Sequence, residues 1–106
     1  MPVGKTKDAG WQIGVSRTVP LPLDEAWARV EDPAAWLGEA PDDVRSHHPQ
    51  DRIRVAWKGT IVQVVVRPAT TGTRVGFHQE RLSGPEEREQ QRTHWAAVID
   101  RLFGDR

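Results

Sequence analysis

Along this 106-residue chain, stretches of apolar–polar alternation are followed by one long stripe of apolar residues at helical spacing. That succession constrains the fold more than any motif does. Trp11, Ile13, Val15 and Val19 fall on one side of a first segment, with Gln12, Gly14, Ser16 and Thr18 on the other. Pro20 and Pro22 end it, because neither can donate to a ladder. Ile53, Val55 and Trp57 alternate with Arg52, Arg54 and Lys58. Val62, Val64 and Val66 alternate with Ile61, Gln63, Val65 and Arg67, and Val75 and Phe77 with Arg74, Gly76, His78 and Glu80. A period of two marks half-buried strands. With turns at Gly59-Thr60 and Pro68 to Gly72, they make an antiparallel meander with one apolar and one mostly charged face.

An apolar sheet face needs a cover. Trp95, Val98, Ile99 and Leu102 recur at helical spacing, in a helix that runs from a capping box at Ser83-Gly84-Pro85-Glu86 to about Phe103 and stops at Gly104. Residues 86–94 are almost wholly polar, so only the second half of this helix is expected to dock. Between the first strand and the meander the period changes. Leu23, Ala26, Trp27 and Val30 form a short helical face, with Asp24 and Glu25 in its first turn. Asp32, Pro33 and Gly38 then bracket a second short helix as cap, first residue and stop. A short strand is expected at 43–48 within the polar segment 39–51.

The fold class is therefore α+β. A curved antiparallel sheet covers a long C-terminal helix, and two short helices follow the first strand. Residues 1–10 show no periodicity and are expected to be a mobile arm, leaving 11–106 as a single domain. Gly4-Lys5-Thr6 lacks the earlier glycine and the preceding strand of a phosphate loop.

Composition excludes several functions. Zero Cys removes thiol nucleophiles, disulfides and thiolate metal sites. Lys plus Arg equal Asp plus Glu at 15 each, so no overall basic field draws in nucleic acid. No apolar run is long enough to span a membrane, and Met1 to Asp8 lacks a signal peptide's apolar segment, so a cytoplasmic bacterial protein is expected. His47, His48, His78 and His94 match no ligand spacing, and no metal, cofactor or catalytic residue is assigned. Glu80 is expected to pair with a strand arginine, Arg52, Arg54 or Arg74.

Three stretches carry a family resemblance. They are Val15 to Trp27, Pro49 to Trp57, and Val62 through Gly72–Val75 and Phe77–Glu80 to His94–Leu102. The chain resembles the START-like, helix-grip superfamily called SRPBCC over roughly residues 11–103. Within it, the chain looks most similar to homologues of the activator of heat shock protein 90 ATPase. Against that family it lacks a central hairpin between the second short helix and the Arg52–Trp57 strand, which implies a sheet shortened in its middle.

The resemblance implies a ligand cavity between sheet and C-terminal helix. Trp36, Trp57, Val64, Phe77, Trp95 and Ile99 are the residues placed to line it. The alternative for each tryptophan is plain core packing. The leading function is non-catalytic binding of an apolar small molecule or lipid. The alternatives are a protein-interaction module related to heat-shock ATPase activators and a polyketide cyclase or dehydratase-like enzyme. A shortened sheet with a Val-rich strand also suggests a homodimer that covers an exposed edge.

Overall fold

The computed structural model describes residues 5–6 and 10–104. In chain order the elements are β1 (Lys5–Thr6), β2 (Gly10–Val19), α1 (Leu23–Val30), α2 (Pro33–Leu37), β3 (Asp43–His48), β4 (Arg52–Trp57), β5 (Thr60–Ala69), β6 (Gly72–Leu82) and α3 (Pro85–Phe103). The strands form one antiparallel sheet in the order β1-β2-β6-β5-β4-β3. The expected arm over 1–10 lies outside the described residues except for Lys5–Thr6, which pair with β2, and Gly10, which begins β2.

Side-chain alternation sets the two faces. Val15 pairs with Phe77, Phe77 with Val64, and Val64 with Ile53, so one row of apolar residues crosses four strands. The neighbouring rows bring Val62, Val66, Val55 and Val75 to the same face, all buried. Ser16, Gly76, Val65 and Arg52 form the corresponding row on the other face. Between Trp11 and Ile13 the β2–β6 register shifts, because their partners Leu82 and Gln79 enclose one more residue than they do. The bulge, with Arg81 at φ 67°, returns Leu82 to the buried face before α3 begins.

Helix α3 covers the β2–β6 part of this face with Trp95, Val98, Ile99 and Phe103, while Leu102 is half-buried, and α1 packs on β5 with Ala26, Trp27 and Val30 buried. The last turns of α3 are tied down by the Arg17–Asp100 ion pair, by Arg29 donating to the Leu102 carbonyl (2.7 Å) and by Arg101 donating to the Ala35 carbonyl (2.8 Å). The second short helix is capped as its sequence requires. The Asp32 carboxylate accepts from the Ala34 N–H at 3.1 Å, and left-handed Gly38 (φ 82°) donates back to the Ala34 carbonyl.

Some local expectations need correction. The capping box at Ser83–Glu86 does not form. Gly84 is the N-cap, and Glu87 rather than Glu86 accepts from the Ser83 backbone (2.7 Å) and hydroxyl (3.1 Å). Pro85 occupies the first helical position, which moves the helix start one residue along. The turn between β4 and β5 is Lys58-Gly59, not Gly59-Thr60. Both residues have positive φ (50° and 76°), the geometry of a two-residue hairpin loop, and Thr60 already pairs with Trp57. Finally, the segment after α2 leads into β3 at the edge of the sheet.

Candidate functional site

The space between the sheet and α3 is occupied by an aromatic cluster. Trp36 from α2, Phe77 from β6 and Trp95 from α3 are each essentially fully buried. Phe77 and Trp95 stack with ring centroids 5.1 Å apart. Trp36 meets both edge-on, at 5.5 Å from Phe77 and 6.1 Å from Trp95. Edge and offset-stacked contacts place the positive ring edges against negative faces and strengthen the packing beyond area alone. Val64 and Ile99 are buried in the same core. Five of the six residues placed at a ligand site by the sequence are therefore brought together. Trp57 stands at the rim, half-buried, with its indole N–H donating to Glu39 (2.7 Å) and the Lys58 ammonium 4.9 Å from its ring centre.

A buried glutamine joins the cluster to that rim, and sequence reasoning missed it. Gln79 is 2% exposed. Its carbonyl oxygen accepts from the Trp95 indole N–H and from Gln91, both at 2.9 Å. Its amide donates to the Thr60 hydroxyl at 2.9 Å, and that hydroxyl donates to the Trp57 carbonyl at 2.7 Å. The alternation Thr73, Val75, Phe77, Gln79 already put an amide on the apolar face, which was the available signal. A buried amide is tolerable only when its polar atoms are paired, and here both are. Gln79→Leu leaves the Trp95 N–H without its acceptor and should lower stability by about 1–3 kcal/mol in urea denaturation.

The polar half of α3 reaches the sheet through side-chain hydrogen bonds. Besides Gln91, the Arg88 guanidinium donates to the Gln12 carbonyl at 2.9 Å. The apolar anchors begin only at Trp95. Among the described residues, the buried polar side chains are Thr73 and Gln79.

The histidines are dispersed. His47 lies against Trp27, with ring centroids 5.8 Å apart, and its neighbour His48 falls on the opposite face of β3. His94 meets the edge of Trp95 at 4.7 Å. His78 sits on the outer face beside the Arg54–Glu80 ion pair (2.9 Å), which selects Arg54 from the three expected partners of Glu80. Among the described residues no group of three His, Asp or Glu side chains is placed to hold a metal.

Burial holds the His78 imidazole below its ordinary value of 6.5; Glu80 opposes this and Arg54 adds to it. Burial and then Arg101 lower His94 in the same direction. As the pH falls below 6.5, the unfolded chain therefore takes up these protons before the folded one does. The stabilisation is complete above the unfolded pKa and is lost as the pH drops through the lowered folded values. Urea midpoints should decline across that window, and His78→Gln should make the decline shallower.

The six-stranded sheet gripping a C-terminal helix, with two short helices after the first long strand, is a helix-grip fold. No family model and no curated protein matches the sequence. Solved structures do match. DynU16, a protein of the dynemicin biosynthetic locus, is 19% identical, with a TM-score of 0.71 over 86% of this chain and 45% of that one. The Aha1 dimer from Colwellia psychrerythraea is 14% identical, with a TM-score of 0.70 over 87% and 92% of the two chains. CalU16 from Micromonospora echinospora is 15% identical, with a TM-score of 0.68 over 92% and 76%. At these identities the likeness is one of fold. No helix among the described residues is long and apolar enough to cross a membrane.

Proposed function

We propose that this protein is a non-catalytic binding module that takes an apolar small molecule or lipid between the sheet and α3. The observation that carries this reading is the buried trio of Trp36, Phe77 and Trp95 beside the amide of Gln79. An apolar lining with one oriented polar group is the usual make-up of a small-molecule site. Entry requires the first half of α3 to swing away. Its polar residues are held to the sheet by Arg88 and Gln91, contacts weaker than the apolar anchoring that starts at Trp95. The Gln79 carbonyl oxygen, released from Gln91, then accepts from the ligand's polar end.

Titration of the isotopically labelled protein tests this, with dodecan-1-ol as the apolar probe and dihexanoylphosphatidylcholine as the lipid. The Trp36 and Trp95 indole N–H resonances should move with at least one of them. Indoles unmoved by both overturn the reading.

A second reading, as an association module, rests on β3. This strand ends the sheet, and Val44 on it is 50% exposed, the large hydrophobic left in water among the described residues. A free edge strand is a template for pairing with another chain. A second copy is the occupant we favour, since a protein of the same fold is described as a dimer. Sedimentation should show a dimer that Val44→Lys dissociates, and a monomer at high concentration removes this reading.

A further inference from the structure

The outer face of the sheet, away from α3, carries a feature the binding reading does not use. A shallow depression of about 210 Å³ lies over Gly14, Ser16, Val65, Gly76 and His78. It exists because two strand-interior positions lack side chains. Neither glycine has a positive φ. A Cβ on Gly14 would come no closer than 3.6 Å to His78, and one on Gly76 no closer than 3.7 Å to Ser16, both ordinary contacts. The backbone does not require glycine at either place, and glycine weakens a strand interior. Such positions mark sites where another group approaches the backbone closely.

The rim is cationic in a chain of zero net charge. Four arginines, Arg52, Arg54, Arg67 and Arg74, share this face with Glu80 and, toward the β3 edge, Asp43, and Asp51 lies beside it. Glu80 pairs with Arg54, and Asp51 is divided between Arg52 and Arg67. Arg74 has no carboxylate partner among the described residues and donates to the Ser16 hydroxyl at 2.8 Å, at the edge of the depression. Arg67 and Arg74 lie directly opposite each other on β5 and β6; Asp51 offsets Arg67, which leaves Arg74 as the cation without a carboxylate at this end of the face.

We infer that this depression is a second binding site, for a small planar aromatic anion. Its ring lies flat over Gly14 and Gly76 between Val65 and Ser16, and its carboxylate meets Arg74. The bare peptide planes at the two glycines match a flat ring better than a branched chain. Arginine supplies both the charge and a planar surface for stacking.

The test is a titration of the full labelled chain with 2-naphthoate, read at the backbone amides of Gly14, Ser16 and Gly76. Those amides should move. Arg74→Gln should weaken the affinity at least tenfold, and neutral 2-naphthamide should bind the parent protein at least tenfold more weakly than the acid does. Gly76→Val fills the depression and should abolish binding without lowering the melting temperature. If that variant does not fold, Arg74→Gln decides. The inference is overturned if the glycine amides stay fixed, if Arg74→Gln binds as tightly as the parent, or if the shifts centre on Trp95. None of these outcomes depends on the dodecan-1-ol result at the indoles, so the two sites fail or stand separately.

Discussion

Trp95→Ala lowers the stability of the domain by about 3–5 kcal/mol in urea or thermal denaturation. The side chain is fully buried, stacked on Phe77 and edge-on to Trp36, so its removal strips both rings of a partner. It also takes one of the two donors from Gln79. Domains of this size hold roughly 5–15 kcal/mol in all, so the variant loses a large share of the total. Apolar-ligand affinity, measured well below its melting temperature, should fall further than the folded fraction does. Trp95→Phe keeps the stack but not the indole donor, and should retain most of the stability. Equal losses from the two variants would remove the stack as the main contributor.

Gly72→Ala should be comparably damaging, although it adds only a methyl group. The residue adopts φ 150° where β6 begins beside the end of β2, and a Cβ there would lie 2.0 Å from the Val19 carbonyl oxygen. That atom is backbone within a paired strand, so it cannot turn aside as a side chain does. Either the β2–β6 register next to Val19–Thr73 opens or the hairpin shifts, at a cost of about 3 kcal/mol or more. Gly76→Ala, four residues along the same strand, should be neutral or stabilising because its Cβ meets only ordinary contacts, 3.7 Å from Ser16 at the nearest. Equal melting temperatures for the two variants would contradict this account.

Much of the architecture was legible because it rests on local period. The alternations around Ile53–Trp57, Val62–Val66 and Val75–Phe77 give both the strands and their buried face, and Asp32, Pro33 and Gly38 mark both ends of α2. What stayed hidden depended on register or on distant partners. Glu80 had three plausible arginines, and only the β4–β5–β6 pairing brings Arg54 to it. Gln79 reads as one polar residue in an apolar series until Trp95 and Gln91 arrive from α3. Trp57 looked equivalent to Trp36 in sequence, but it ends β4, where it is half-buried and its indole N–H turns outward to Glu39. The cap at Glu87 rather than Glu86 turned on a one-residue choice that the Gly84-Pro85 pair decides.

The pairing of β2 with β6 has a consequence for how the chain is made. Val15 meets Phe77, and Arg17 meets Asp100 on the last helix, so the earliest long strand completes its contacts with the latest segments. During synthesis β2 emerges with its apolar face bare, and it stays so while the β3–β5 hairpins form by local closure. The slow, long-range step is left for the end of translation. Until then Ile13, Val15 and Val19 lack the β6 and α3 partners that bury them, which makes this stretch the one most exposed to association before folding ends.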